Sequence, residues 1–195
     1  MTESSSISGV PTDSAPDVVL LPMRRRHLRG VMAIEELVYP TPWSSSLFLS
    51  ELGLPASRVY LVAKAGRSVV GYAGIMMAPD EAHVTTIAVD PAWQRRHIAT
   101  RLMIALAREA IDRNFAALTL EVRASARGAQ DMYRHFGLRP EGARKEYYSN
   151  PNEDAVVMWV RGIDTMEYRQ LLDGLERRAT GVAVPGDAAD AAGAP

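Results

Sequence analysis

Thr86-Ile87-Ala88-Val89-Asp90-Pro91-Ala92-Trp93-Gln94-Arg95-Arg96-His97-Ile98-Ala99-Thr100 is the stretch on which the fold turns. Its first residues are β-formers, and Asp90-Pro91 then closes the strand. A short basic loop follows, after which Ile98, Leu102, Ala105 and Leu106 share one face of a helix running to about Arg113. A strand, a basic loop and a helix start together leave the first-turn N–H groups unpaired at the positive end of a helix dipole. With Arg95 and Arg96 beside them, those groups form a cradle for a pyrophosphate. The same spacing equally describes a polar turn ahead of an amphipathic helix, and the geometry alone does not choose.

Upstream of this stretch, Val18 to Leu21 reads as a strand stopped by Pro22, and Arg24 to Val38 as a helix with Leu28, Val31, Met32, Ile34 and Leu37 at helical intervals. Pro40 and Pro42 break that helix. Ser44 is placed to cap a second, short one that carries Leu47, Phe48 and Leu52 and closes at Gly53. Arg58–Ala65, Ser68–Ala78 and Glu81–Asp90 are rich in Val, Ile, Thr and Tyr and are separated by turn residues, so three consecutive antiparallel strands are expected. Downstream, Ala116 to Arg123 is a strand. Arg127 to Phe136 is a helix ended by Gly137, and Glu141–Ser149 and Asp154–Val160 are strands joined by Asn150-Pro151-Asn152. The order β α α β β β α β α β β belongs to the α/β class, with a mixed, mostly antiparallel sheet flanked by helices.

The 195 residues carry 22 Lys+Arg and 23 Asp+Glu, and 47% are apolar, as expected of one globular domain. All 13 aromatic residues fall between Tyr39 and Tyr168. Residues 1–17 are acidic and Ser-rich and residues 181–195 are mostly Ala, Gly and Pro, so both are expected to be disordered tails around a domain at 18–163. Residues 164–180, with Met166, Leu171, Leu172 and Leu175 at helical spacing and Asp164 as N-cap, are expected to form an accessory helix. There is no cysteine, so disulfides, thiolate metal sites and cysteine nucleophiles are excluded. The balanced charge argues against nucleic-acid binding, and no run is apolar enough to suggest a membrane span, so a cytoplasmic protein acting on a small molecule or another protein is expected.

The sequence has no G-x-S-x-G, P-loop, H-E-x-x-H or G-x-G-x-x-G motif, and His27, His83, His97 and His135 show no ligand spacing, so no metal is expected. They read as surface or partly packed histidines. On the strand ending at Arg123, Leu118, Leu120 and Val122 alternate with Thr119, Glu121 and Arg123. A mid-strand acid is disfavoured by propensity, so Glu121 is either solvent-facing, ion-paired with a neighbour such as Arg123, or functional. Tyr133, inside the following helix, is ordinarily a packed ring with its hydroxyl at the rim.

Five segments together resemble the GCN5-related N-acetyltransferase (GNAT) superfamily, and within it the bacterial RimI-type N-alpha-acetyltransferases. They are Pro42-Trp43-Ser44, Ile87–Pro91 with Gln94–Ala99, Leu120-Glu121-Val122-Arg123-Ala124-Ser125, Tyr133-Arg134-His135-Phe136-Gly137 and Tyr147-Tyr148. The resemblance spans residues 18–160 and implies acetyl-CoA as co-substrate. In it Ile87, Ala88 and Val89 hold the pantetheine arm, and Arg95, Arg96, His97, Ile98, Ala99 and Thr100 hold the pyrophosphate. It further implies Glu121 as general base, Tyr133 as general acid, and Trp43, Tyr147 and Tyr148 as walls of the acceptor groove. The acceptor it implies is a protein N-terminal α-amine, in the RimI-type branch that of a ribosomal protein. A small-molecule or lysine acetyltransferase and a degenerate interaction module are the alternatives. The sequence departs from the family loop at His97, where Gly is usual, and at Ala126, where Asn is common.

Overall fold

The computed structural model describes residues 17–180, so the expected tails, Asp17 apart, lie outside the described residues. Seven strands form one sheet in the order β1-β2-β3-β4-β5-β7-β6. They are β1 (Val18–Pro22), β2 (Arg58–Ala65), β3 (Ser68–Met77), β4 (Ala82–Val89), β5 (Ala117–Arg123), β6 (Arg139–Ser149) and β7 (Asn152–Arg161). The helices are α1 (Leu28–Val38), entered through a 3-10 turn at Arg25–His27, α2 (Ser45–Leu52), α3 (Ile98–Asp112), α4 (Arg127–His135) and α5 (Met166–Thr180). Element order and the antiparallel β2-β3-β4 meander agree with the sequence reading, with ends shifted by a residue or two except at α1, expected from Arg24 and found from Leu28 because Arg25–His27 form a 3-10 turn.

Local chemistry explains most boundaries. Ser44 Oγ accepts the Leu47 N–H at 3.2 Å and caps α2 as expected. Gly137, at φ 80, supplies the left-handed residue that lets the chain leave α4 for β6. At α5 the cap differs from expectation: Thr165, not Asp164, accepts the Tyr168 N–H at 3.3 Å, because the helix starts at Met166 and Thr165 is the residue that precedes it. The helix is also no mere appendage, since Tyr168, Leu172 and Leu175 are buried in the main core.

Two apolar clusters cover the two faces of the sheet. α3, α5 and the end of α4 bury Leu102, Leu106, Phe136 and Leu172 against Ile75, Val84, Leu118 and Leu120. α1 and α2 bury Val31, Ile34 and Phe48 against Tyr60, Val62 and Tyr72. At about 25 cal/mol per Å² of apolar surface, such burial is the main force holding the layers together.

The feature that positions the site lies between β4 and β5. These two strands run parallel but pair only at Ala82–Val84 with Leu118–Leu120. Beyond that point Thr85 is an extra residue in the β3-β4 register, a bulge, and β4 runs on to Val89 with β3 as its ladder partner. The sheet therefore opens between β4 and β5 toward the strands' C-terminal ends, the place where open α/β sheets bind ligands. Among the described residues no helix is long and apolar enough to cross a membrane.

Candidate active site

The exposed edge of β4 lines one side of this opening. The Asp90 N–H donates to Val70 O on β3 at 3.0 Å, whereas the carbonyl of Ile87 accepts from Tyr39 Oη at 2.9 Å and that of Val89 lies 3.4 Å from Gln94 Nε2. Polar groups along a strand alternate in direction, so the N–H groups of Ile87 and Val89 face the opening while Ala88 faces β3. Of the three residues expected to hold the pantetheine arm, Ile87 and Val89 present backbone there, and Ala88 packs into the α1/α2 core.

Beyond β4 the chain makes a 3-10 turn at Pro91–Trp93 and enters α3. Arg95 and His97 both have left-handed backbone, at φ 63 and φ 56. No side chain caps α3, so the N–H groups of its first turn at Ile98, Ala99 and Thr100 are left for a ligand. Arg96 stacks on Trp93 with its guanidinium carbon 4.8 Å from the ring centroid, and Arg95 and His97 are exposed beside it. A helix start without a cap, flanked by cations, suits a phosphate.

Across the opening, Glu121 projects from β5. Its side chain is 7% exposed, and each oxygen is engaged: Oε2 lies 2.9 Å from His83 Nε2 and Oε1 3.0 Å from Arg144 Nη2. This corrects two expectations. Glu121 is not solvent-facing, and its partner is not Arg123, which bonds Glu153 at 3.1 Å and stacks on Tyr148 at 4.1 Å. Of the histidines read as bland, His83 is part of the site, because β4 places it directly opposite Thr119.

Tyr133 of α4 is 5% exposed, and burial raises its pKa, with Tyr39 and Tyr148 near enough to raise it further. Its phenol is thus a proton-bearing group at neutral pH. Tyr148 Oη lies 3.5 Å from Glu121 O, and burial followed by the neighbouring Tyr147 pushes its pKa up to about 12. Tyr147 is 49% exposed, stacks edge-on against Tyr148 at 5.1 Å and carries Arg144 over its ring at 5.6 Å.

The third expected wall residue, Trp43, packs on Phe48 with centroids 5.3 Å apart. Its backbone N–H donates to Glu35 Oε2 at 2.8 Å, and Tyr72 Oη donates to the other oxygen of Glu35. Glu35 is 1% exposed, and burial raises its pKa against the opposing pull of those two hydrogen bonds. The carboxylate thereby ties the α1-α2 loop to β3. Tyr39, which closes α1, joins the same wall through Ile87 O, and burial raises its pKa too.

The opening brings together a strand with a clasped, mostly buried carboxylate and an uncapped helix start, and residues 28–138 match the acetyltransferase (GNAT) family. The chain belongs to that family. This acetyltransferase is 34% identical over 138 residues to a Bacillus subtilis protein provisionally named ribosomal protein bS18-alanine N-acetyltransferase, covering 71% of this chain and 91% of that one. It is 40% identical over 124 residues to the N-alpha-acetyltransferase RimI of Mycobacterium tuberculosis, covering 60% and 74%. The crystal structure of the ribosomal-protein-S18-alanine N-acetyltransferase from Escherichia coli superposes on the acetyltransferase with TM-score 0.68 at 28% identity, covering 75% of this chain and 94% of that one.

Sequence reasoning about the acetyltransferase missed His83, Arg144, Tyr39 and Glu35. Only Glu35 had a local signal, an acid at a position flanked by the buried Val31 and Ile34 on α1.

Proposed function

We propose that this acetyltransferase moves the acetyl group of acetyl-CoA to a protein N-terminal α-amine, by direct transfer with Glu121 as general base and Tyr133 as general acid. The observation that carries the reading is Glu121, a carboxylate 7% exposed at the edge of the β4/β5 opening, on the side where Tyr147 and Tyr148 stand. Acetyl-CoA would supply an activated thioester. Ile87 and Val89 would hold its pantetheine arm by main-chain hydrogen bonds, with Ala88 fixing their strand in place. Arg95, Arg96, His97, Ile98, Ala99 and Thr100 would surround its pyrophosphate.

An α-amine has a pKa near ~7.7–8.0 and is largely protonated at neutral pH, so a base must remove a proton before the nitrogen can attack. Glu121 supplies that base. The free amine attacks the thioester carbonyl, the carbon–sulfur bond breaks, Tyr133, kept protonated by burial, gives its proton to the departing sulfur, and the second proton lost by the nitrogen as it becomes an amide restores the phenol. The chain has no cysteine, and the route needs no enzyme-bound acetyl. Trp43, Tyr147 and Tyr148 would flank the incoming peptide, and the named relatives support a ribosomal-protein N-terminus as the partner, which would place the reaction in the cytoplasm.

Turnover of acetyl-CoA against peptides with free N-termini, lysine peptides with blocked N-termini, and polyamines tests this. The expected result is turnover with the first group alone. Equal turnover of blocked lysine peptides would overturn the acceptor assignment.

A further inference from the structure

The reaction has a proton balance that Glu121 and Tyr133 do not close. An ammonium and a thioester become an amide, a thiol and one free proton. Two N–H bonds break, one proton ends on sulfur, and because thiols titrate near ~8.5 it stays there at neutral pH. The other must reach solvent. Glu121 receives it in a position 7% exposed, with both oxygens already engaged.

Of the two partners, Arg144 has no acceptor and keeps its charge, so it orients the carboxylate without relieving it of a proton. His83 is different. Its Nε2 is 2.9 Å from Glu121 Oε2, and its side chain is 19% exposed, so it touches both the base and water. Imidazole is the side chain that gains and loses protons near neutral pH. Around this pair stand Arg123 of β5, which is paired with Glu153 and stacks on Tyr148, Tyr148 of β6, whose raised pKa keeps it a neutral phenol, and the Glu51-Arg58-Tyr60 group, bonded to β4 at Thr85. Glu51 there is committed to Arg58 and Tyr60, at 2.8 Å each.

We propose that His83 is the proton exit of this acetyltransferase. The ammonium N–H breaks as an O–H forms on Glu121. His83 exchanges its Nε2 proton through water and takes up the Nδ1–H tautomer, the Glu121 O–H then breaks as an N–H forms on the freed Nε2, and the imidazolium gives its Nδ1 proton to water, which restores the tautomer that faces the carboxylate. The step rests on the assignment of Glu121 as base.

The test is steady-state turnover of an N-terminal peptide by the full chain and by His83→Gln, His83→Ala and Glu121→Gln, with and without added imidazole, melting temperatures being recorded for each. The expected result is that kcat falls roughly 10-fold to 10²-fold in both His83 variants, less than the ~10²–10⁴-fold worth of the base itself, with KM for acetyl-CoA unchanged. Free imidazole should restore His83→Ala saturably, through its neutral form, and should not restore Glu121→Gln. If His83→Ala does not fold, His83→Ser, which also leaves room for free imidazole, carries the same information.

Two outcomes overturn the relay alone: His83 variants within twofold of the parent beside an inactive Glu121→Gln, or a loss that Gln repairs and imidazole does not, which would make His83 an orienting group only. An inactive parent, or a fully active Glu121→Gln, overturns the base assignment and the relay with it.

Discussion

The two sides of the β4/β5 opening are built from different materials. On the β4-α3 side the site is main chain: strand N–H groups at Ile87 and Val89, and the uncapped first turn of α3. On the other side it is side chains drawn from distant elements, with Glu121 held by His83 of β4 and Arg144 of β6, and the Trp43 loop held by Glu35 of α1. Main-chain sites tolerate changes of side chain as long as the backbone keeps its path. Sites made of side chains fail one residue at a time. Substitutions on the two sides should therefore differ in kind as well as in size.

The largest effect belongs to Glu121. Glu121→Gln should lower kcat by ~10²–10⁴-fold with acetyl-CoA affinity intact, because a general base is worth about that much and this residue does not line the α3 start. Tyr133→Phe should cost less, roughly 10-fold to 10²-fold, and its loss should shrink as pH rises and the thiolate leaves without help. Rate measurements across pH, together with calorimetric titration of acetyl-CoA, separate the two. A Glu121→Gln protein that turns over normally but binds acetyl-CoA weakly would erase the division between the two sides.

Glu35 tests whether the proposed acceptor wall depends on one buried carboxylate. Glu35→Ala leaves the Trp43 N–H and Tyr72 hydroxyl without an acceptor, which should destabilise the fold by about 1–3 kcal/mol for each group that water cannot reach, and should raise KM for peptide more than for acetyl-CoA. The ionisation also has a direction. The folded-state pKa of Glu35 is raised by burial, so the native state binds that proton more tightly than the unfolded chain does. The resulting stability is fully present below the ordinary carboxylate value of 4.5 and is lost as pH rises through the raised value. Glu35→Gln removes this dependence. Denaturant unfolding at a series of pH values should show the Gln variant gaining on the parent as pH rises from 4.5, and parallel curves would mean that Glu35 is not held at a raised pKa.

The same division explains what could be read from the chain. Strand, loop and helix around Thr86–Thr100 are encoded in consecutive residues, and the Gly137 and Ser44 signals are local, so element order and the α3 start were legible. The bulge at Thr85 was not. It depends on how β3 and β4 pair, and it falls where β4 leaves its pairing with β5. The clasp on Glu121 was hidden for a related reason. Arg144 and Tyr148 come together over it only because the β6-β7 register shifts between them, with Glu146 at φ 52 and its N–H held by Asp154 Oδ1 at 2.9 Å. Nothing in Arg144-Lys145-Glu146-Tyr147-Tyr148 announces that irregularity, and strict alternation would send Arg144 and Tyr147 to opposite faces. Pairing Glu121 with Arg123 failed because Glu153, on the neighbouring strand β7, holds Arg123.

His97 is where the main-chain side can be probed with the smallest change. The family loop has Gly at this place, and here His adopts φ 56, ψ 16, the conformation in which an L-residue's Cβ crowds the backbone. The strain is roughly 1–2 kcal/mol for an ordinary residue and less for His, which enters this region more readily than most. Removing it with His97→Gly is offset by the greater freedom glycine gives the unfolded chain, about 0.4–1 kcal/mol, so the net gain should be below about 1 kcal/mol, a rise of a few degrees at most in Tm. Binding adds a second term. On the proposed assignment the first-turn N–H groups of α3 and the guanidinium groups of Arg95 and Arg96 would meet a pyrophosphate with donors and charge, whereas the His97 β-carbon would hold the backbone away from it. His97→Gly should therefore tighten acetyl-CoA binding, equally at pH 6 and pH 8. If the ring has instead become a phosphate contact, the variant will bind more weakly, and chiefly at pH 6, where an imidazolium would pair with the anion. Calorimetric titration of both proteins at the two pH values decides, and a loss confined to the lower pH would mean that this half of the site too has come to depend on a side chain.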